Sequence, residues 1–260
     1  MSDFDPDALA AHLLAARRAR RVLRPPPRGA APRGYAEGVA GQRALARLLG
    51  ADPPAGFKVG ATAPAMQHYL GLPGPLAGFM AEAGLHGSGS SLSYAGFVAP
   101  GAECEIAVHL GRDLSPGPCT PAQAADAVDG VMAAIEIVEL RYPDLAAFGA
   151  PMLVADQVFH ACAVLGTPRA NWSGLDLDAL PGQILVDGDV RGQGFGRDLL
   201  GGPLRVLAWI AASEEAAAFD GLRAGQVIML GSVTTPVWLA GPCHVEVHFP
   251  PLEPAVLTLT

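Results

Sequence analysis

The 260-residue sequence has only four cysteines, and none of them form a closely spaced pair. They stand at positions 104, 119, 162 and 243, without a C-x-x-C motif. Structural zinc sites and small disulfide scaffolds depend on short, regular cysteine spacings. The sequence therefore indicates neither, and we expect the four cysteines to be small buried hydrophobic residues.

The sequence also lacks long apolar segments and an excess of positive charge. No stretch approaches the 18 uncharged apolar residues typical of a membrane-spanning helix. The formal net charge is −8, and most arginines lie in the first 47 residues, whereas nucleic-acid binding requires clustered positive charge. Three aspartates precede this arginine-rich opening, and no apolar targeting segment follows it. We expect a cytoplasmic protein with a small-molecule partner, no nucleic acid and no membrane.

Lysine is almost absent. The chain has 17 basic residues, of which Lys58 is the only lysine and the other 16 are arginine. Arginine stays protonated in proteins, whereas a desolvated lysine can have a lowered pKa and act as an acid or base. The apolar and glycine-rich setting GFKVG suits a buried strand that a ligand can approach closely. Chance survival on a surface loop is the alternative.

Hydrophobic periodicity predicts two helices near the beginning of the chain, over about 5–23 and 34–50. We expect residues 1–50 to form a helical segment packed on a main domain of residues 51–260. Further helices are predicted over 63–70, 121–128 and 199–217. Predicted strands are 56–59, 103–110, 131–138, 160–165, 183–186, 226–230, 244–249 and 256–259. Because helices and strands alternate irregularly, the sequence predicts an α+β fold with a mixed sheet.

Three glutamates lie in two of the predicted strands. Glu103 and Glu105 are two residues apart, so on a strand they share one face with Cα atoms roughly 6.6 Å apart. Glu136 lies within a second apolar run, where an unpaired carboxylate costs several kcal/mol to bury. The three together suit Mg²⁺ or Mn²⁺. The alternative is the solvent face of a half-exposed sheet; for Glu139 we expect solvent or an arginine partner.

Several segments match a known family in order and spacing. They are GFKVGATAPAMQHYLG, GAECEIAVHLGRDL, AAIEIVELRY, VADQVFHACAVLG, GQGFGRDLLGGPLRVLAWIA and LRAGQVIMLGSV. From about Leu9 to the C-terminus the chain resembles the 2-keto-4-pentenoate hydratase and 4-oxalocrotonate decarboxylase group of the fumarylacetoacetate hydrolase superfamily. The resemblance implies a mixed β-roll, a homo-oligomer and a divalent Mg²⁺ or Mn²⁺ ion. It also implies that the three glutamates are metal ligands and that Lys58 is the catalytic acid/base.

The resemblance extends to further site residues, with departures from the family pattern. Glu82 stands where the family usually has an active-site aspartate, and Asp156 and Gln157 stand where it has Asp-Asn. We expect Glu82 or Asp156 to guide water and Gln157 to contact the substrate. Ser232 and Thr234 either line the pocket or form a polar turn. His160 follows the Asp156 segment and is a weaker candidate.

The implied reaction is the addition of water to a 2-hydroxy-2,4-dienoate, which gives a 4-hydroxy-2-oxo acid. A decarboxylase of a 4-oxalocrotonate-type 2-oxo acid is the first alternative, because both reactions pass through an enolate that a divalent ion stabilises. Hydrolysis of an acylpyruvate, with His68 or His86 activating water beside Glu82, is a third interpretation. A non-catalytic member of the fold is the fourth.

Overall fold

A computed structural model describes residues 3–62, 67–68, 72, 74–143 and 145–260. The helices are α1 (Pro6–Arg18), α2 (Tyr35–Leu48), α3 (Pro121–Ala127), α4 (Leu145–Ala155), α5 (Pro203–Ala211) and α6 (Glu214–Ala217). The strands are β1 (Gly56–Gly60), β2 (Leu76–Met80), β3 (Leu85–Gly87), β4 (Ser90–Leu92), β5 (Pro100–Leu110), β6 (Val128–Glu139), β7 (His160–Leu165), β8 (Pro181–Val186), β9 (Asp189–Phe195), β10 (Val227–Ser232), β11 (Val237–Trp238), β12 (Cys243–His248) and β13 (Ala255–Leu259). The protein is α+β, as predicted.

The first helix begins after a favourable N-cap residue, Asp5. The Asp5 side chain accepts hydrogen bonds from the backbone N–H groups of Asp7 and Ala8, and Pro6 occupies the first turn, where its missing N–H costs nothing. Leu9 and Leu13, four residues apart on one face, are fully buried. Helices α1 and α2 pack on each other and join the same hydrophobic core as the sheets. The predicted division of the chain at residue 50 stays a prediction.

Two mixed sheets organise the rest of the chain. The larger has the order β2-β1-β10-β5-β6-β7-β3, with β11 paired to β5, and the smaller has the order β4-β13-β12-β8-β9. In the larger sheet β1 pairs with β10 in parallel, while β5 and β6 form a long antiparallel pair. Strand β2 also approaches β7, so the sheet curls toward a closed roll.

The two faces of the larger sheet differ. One face carries large apolar side chains into the main core, among them Phe57 and Ile228. The other face lines the inside of the curl and carries a smaller cluster: Met80, Ala107, Met132, Ala134, Ala163, Val227 and Met229. Because side chains alternate along a strand, Lys58 and the three glutamates fall on this inner face, in register with that cluster.

The strands predicted from apolar runs are present, with ends that differ by a few residues. The strands that were not predicted are β2, β3, β4, β9 and β11. Strand β9 is largely exposed and glycine-rich, so it has no apolar run to detect.

The predicted helix 199–217 is divided into α5 and α6 around Ser213, which caps α6 through the backbone N–H of Ala216. The predicted helix 63–70 lies outside the described residues except at 67–68. Within the described ranges, no helix has the length and apolar character that crossing a membrane requires.

Candidate metal centre

Strands β5 and β6 bring the three glutamates together. Glu103 and Glu136 are direct partners across the antiparallel pair, and Glu105 lies two residues along β5 on the same face. Carboxylate oxygens from all three lie within 4.8 Å of one another. Glu105 and Glu136 are fully buried and Glu103 is half-buried. The exposure of Glu103 places it nearest to solvent.

The negative charge of this cluster is not balanced by the described residues. Oε2 of Glu105 accepts a hydrogen bond of 2.9 Å from the backbone N–H of Gly231. Oε1 of Glu105 and Oε2 of Glu136 are buried without a partner among the described residues. Burial, together with the charge of Glu136, raises the pKa of Glu103 to about 8, and the same causes raise the pKa of Glu105. Three ionised carboxylates at this spacing require a cation.

The donor set fits a hard divalent cation. All the available donors are carboxylate oxygens, the ligands that Mg²⁺ and Mn²⁺ prefer. Oxygens bound about 2.1 Å from one Mg²⁺ ion lie up to about 4.2 Å apart, close to the spacing of the three glutamates. The two unpaired buried oxygens give the cluster free ligand atoms. The carboxylate cluster can therefore hold a metal ion.

Lys58 lies beside this cluster and is almost fully buried. Its Nζ donates a 2.8 Å hydrogen bond to the backbone oxygen of Val158 and lies 3.2 Å from Oε1 of Glu136. Burial lowers the pKa of Lys58, but the nearby glutamates outweigh it, and the pKa is raised. This direction is opposite to the sequence-based expectation, which included desolvation and omitted the three neighbouring negative charges.

Gly60 leaves room for the lysine. A Cβ atom at Gly60 would lie 3.2 Å from Nζ of Lys58 and 2.8 Å from Cγ1 of Val158. The second glycine of GFKVG is thus explained by a close approach of side chains. The first, Gly56, faces the backbone oxygen of Val227 on the neighbouring strand, 1.9 Å from where a Cβ would be.

His160 is a member of the site that the sequence indicated only as a weaker candidate. Its Nδ1 lies 2.9 Å from Oε1 of Glu136, and its Nε2 is buried without a partner among the described residues. Burial lowers the pKa of His160 despite the neighbouring Glu136. The only sequence signal was its position four residues after Asp156, because nothing local reveals which strand faces β7.

Asp156 lies in a different environment. Its carboxylate accepts hydrogen bonds from Arg17 (2.6 Å), Arg141 (2.7 Å) and Tyr142 (3.0 Å). Burial raises the pKa of Asp156, but the two guanidinium groups outweigh it and hold the pKa below its usual value. Arg141 also bonds Glu139 at 2.5 Å, which confirms the expected arginine partner of Glu139. Both carboxylate oxygens of Asp156 are thus engaged within the chain.

The substrate-binding candidates lie around the cluster. Gln157 donates from Nε2 to the backbone oxygen of Phe79 at 2.6 Å, and its Oε1 is buried without a partner among the described residues. The Ser232 hydroxyl oxygen accepts hydrogen bonds from the backbone N–H groups of Cys104 and Thr234. Ser232 therefore fixes the end of β10 beside the glutamates, and its role toward a substrate stays a prediction, as does that of Thr234.

Glu82 and the candidate histidines lie apart from these contacts. Glu82 is exposed in a single 3₁₀ turn after β2, and it is not bonded to Lys58 or to the three glutamates. His68 is exposed. His86 lines a cavity of about 290 Å³ with His109 and apolar residues, and none of the three glutamates lines it. The structure does not join Glu82 to either histidine, so its catalytic role stays a prediction.

Comparison with known proteins agrees with the fold. Residues 63–256 match the family model described as fumarylacetoacetate (FAA) hydrolase C-terminal. The chain is 34% identical over 180 residues to a 2-keto-4-pentenoate hydratase of Burkholderia vietnamiensis, with 68% of this chain and 67% of the relative covered. It is 29% identical over 194 residues to a 4-oxalocrotonate decarboxylase of Pseudomonas putida, with 75% and 73% covered.

Among solved structures, 4-oxalocrotonate decarboxylase from Pseudomonas putida G7, complexed with magnesium and adipate, has a TM-score of 0.89. The match covers 98% of this chain and 97% of that chain at 24% sequence identity, a level at which it establishes the fold alone. The predicted mixed β-roll is confirmed. Given a family match that spans most of the sequence, the chain belongs to the fumarylacetoacetate (FAA) hydrolase C-terminal family.

Proposed function

We propose that the protein is a divalent-metal-dependent lyase that adds water to a 2-hydroxy-2,4-dienoate and releases a 4-hydroxy-2-oxo acid. The observation that carries this proposal is the cluster of three glutamates with the chain's single lysine 3.2 Å from one of them. The 34% identity to a 2-keto-4-pentenoate hydratase supports the choice of reaction. The half-buried Glu103 marks the end of the cluster nearest to solvent, from which a small acid would enter.

Glu103, Glu105 and Glu136 would hold Mg²⁺ or Mn²⁺, with the solved relatives' Mg²⁺, Ca²⁺ and Mn²⁺ complexes as support. A divalent ion supplies Lewis-acid charge that stabilises negative charge developing on the oxygens of a 2-oxo acid. The positive charge of the ion would also offset the carboxylate charges that raise the pKa of Lys58. Burial, which lowers that pKa, would then be the remaining effect. The lysine is then suited to exchange a proton at Nζ.

Lys58 would handle the proton that moves between oxygen and carbon. In the overall reaction the enol oxygen at C2 loses a proton, C5 gains one, and water adds its oxygen to C4 and a proton to C3. One water molecule is consumed, and no oxidant or reductant is needed. Lys58 Nζ is fixed by Val158 and Glu136, so its position is defined before substrate arrives. In this proposal Glu82 guides the water, while Gln157, Ser232 and Thr234 contact the substrate.

A 4-oxalocrotonate-type decarboxylase is the second candidate. The 29% identity over 194 residues to the Pseudomonas putida decarboxylase supports it. Both reactions create negative charge on the same 2-oxo acid group, and one carboxylate cluster serves either. The homo-oligomeric state and the cytoplasmic location stay predictions.

The test is turnover of 2-hydroxypenta-2,4-dienoate by chelator-treated protein, followed by loss of ultraviolet absorbance before and after Mg²⁺ or Mn²⁺ is added. We expect metal-dependent consumption that falls about 10²–10⁴-fold in Lys58→Arg, because arginine keeps the charge but cannot release a proton. Lys58→Met, of similar length and uncharged, should lose activity to the same extent. Arg223→Lys, at an exposed ion pair with Asp113, is the matched control and should keep full activity.

The same samples should be given 4-oxalocrotonate, with release of CO₂ measured. Metal-dependent decarboxylation without hydration would replace the leading reaction with the second candidate. Undiminished hydration in Lys58→Arg would remove the lysine from the mechanism. Absence of both reactions with any divalent metal would contradict the proposed function.

A further inference from the structure

A left-handed turn connects the two buried charged regions of the protein. Gln157, Val158 and Phe159 have φ angles of 57°, 51° and 68°. For residues with a Cβ atom this conformation is energetically unfavourable. Three in succession persist only where the surrounding structure holds them, which is a pattern found at functional sites.

Contacts on both sides hold this turn. At its beginning, Asp156 is bonded to Arg17 of α1 and to Arg141. The Gln157 side chain donates to the backbone oxygen of Phe79. The backbone oxygen of Gln157 would lie 2.7 Å from a Cβ at Gly78, so the turn packs directly against the backbone of β2. The chain is therefore fixed before it enters β7.

The turn delivers two groups to the metal centre. The backbone oxygen of Val158 accepts the hydrogen bond from Lys58, and His160, the next residue after the turn, reaches Oε1 of Glu136. Oε1 of Glu136 thus has Lys58 at 3.2 Å and His160 at 2.9 Å. Oε2 of the same carboxylate has no partner among the described residues. The two oxygens of Glu136 therefore differ in their hydrogen-bond partners.

We propose that His160 is a positioning residue of the metal centre. Its Nδ1–H fixes the Glu136 carboxylate through Oε1 and so leaves Oε2 as the oxygen that binds the cation. A carboxylate oxygen accepts and does not donate, so Nδ1 carries the proton whatever the charge of the ring. Hydrogen bonds to ligand carboxylates from such neighbouring groups commonly change metal affinity or activity 10–100-fold. The inference rests on the metal-binding part of the proposed function.

The experiment measures Mn²⁺ affinity of the full-length, chelator-treated protein by electron paramagnetic resonance, which needs no substrate. The variants are His160→Leu, His160→Asn and His160→Gln. Leucine fills the space without a donor. The asparagine amide nitrogen reaches the position of Nδ1, whereas the glutamine amide nitrogen reaches the position of Nε2. His109→Leu is the matched control, because His109 Nδ1 bonds Asp129 at 2.6 Å in a partly exposed pair outside the cluster.

We expect His160→Leu and His160→Gln to weaken Mn²⁺ binding about 10–100-fold and His160→Asn to stay within about threefold of the parent. His109→Leu should equal the parent. If His160 only fills space, the His160→Leu variant should bind Mn²⁺ as tightly as the parent. That result would overturn the proposal. If His160→Leu does not fold, as judged by circular dichroism, the Mn²⁺ affinities of the other two variants decide. Binding by His160→Gln that is as tight as, or tighter than, binding by His160→Asn would overturn the proposal.

Turnover separates this inference from the proposed function. A parent whose Mn²⁺ affinity depends on His160, but which consumes neither dienoate nor 4-oxalocrotonate, supports the positioning role and contradicts the proposed reactions. A parent that hydrates the dienoate while His160→Leu keeps full Mn²⁺ affinity supports the function and overturns the positioning role. A parent without measurable Mn²⁺ affinity overturns both.

Discussion

Two groups of charged residues lie on either side of the left-handed turn, and they differ in how their charge is balanced. The carboxylate cluster has three negative groups and one lysine: Glu103, Glu105, Glu136 and Lys58. The guanidinium network has two positive and two negative groups together with a tyrosine: Arg17, Arg141, Glu139, Asp156 and Tyr142. Among the described residues, the charges of the network are balanced and those of the cluster are not.

The two groups differ in how their buried charges are paired. The two Asp156 oxygens each have a guanidinium donor, so the network satisfies the requirement that buried charges be paired. In the cluster, two buried carboxylate oxygens have no partner among the residues that the structure describes. A bound cation would remove the energetic cost of that arrangement. The first should therefore stabilise the protein without ligand, and the second should destabilise it.

Asp156→Asn should have the largest effect. It leaves the buried Arg141 and the partly buried Arg17 without a full counter-charge, and breaking a buried pair from one side costs about 3–5 kcal/mol. Urea unfolding at pH 7, in the presence of chelator, measures the free energy of unfolding. Asp7→Asn, which removes an exposed ion pair with Arg47, is the control and should change it by less than about 1 kcal/mol. Equal effects of the two variants would contradict the structural role of the network.

The parent and the Asp156→Asn variant also give a pH test. Because the pKa of Asp156 is lower in the folded protein than in the unfolded chain, where it is about 3.9, its stabilising contribution is complete above the unfolded pKa. That contribution is lost as pH falls through the folded pKa. The difference in unfolding free energy between parent and Asp156→Asn should be constant from pH 7 to 5 and should shrink below pH 4. A constant difference down to pH 3 would show that Asp156 ionisation is not involved.

Glu105→Gln should have an effect of opposite sign. Burial and the charges of Glu136 and Glu103 disfavour the ionised form of Glu105, so removing its charge should stabilise the chelator-treated protein by about 1–3 kcal/mol. The glutamine oxygen can still accept from Gly231. Saturating Mn²⁺ should reverse the order, because the parent gains stability from binding. Glu253→Gln, at an exposed position, is the control; a less stable Glu105→Gln protein without metal would contradict the comparison.

Gly60→Ala should have the smallest effect, and it tests the junction between the two regions. The new methyl group would press on Val158 and on Nζ of Lys58, and so lengthen the hydrogen bond between them. We expect dienoate turnover to fall about tenfold while Mn²⁺ affinity stays within about threefold. Gly174→Ala, where a Cβ meets nothing within 4 Å, should match the parent. Unchanged turnover in Gly60→Ala would show that the lysine does not need this support.

Local pattern was enough to predict most of the large sheet and the glutamates that face its interior. The two-residue period placed Glu103 and Glu105 on one face of β5, and the apolar run placed Glu136 on β6, as observed. The pattern could not show that Asp156 would pair with Arg17, 139 residues away. Nor could it give the direction of the Lys58 pKa shift, which depends on charges from two other strands.

The sequence by itself determined that one lysine and three strand glutamates stand out, because charge in an apolar run is costly wherever that run is buried. Only the tertiary structure decided which of the buried acids are balanced. Strand register made Glu103 and Glu136 neighbours, and the left-handed turn directed Asp156 toward two arginines and His160 toward Glu136. Electrostatic interactions depend on distance in space, and that distance is set by the packing of segments far apart in the chain.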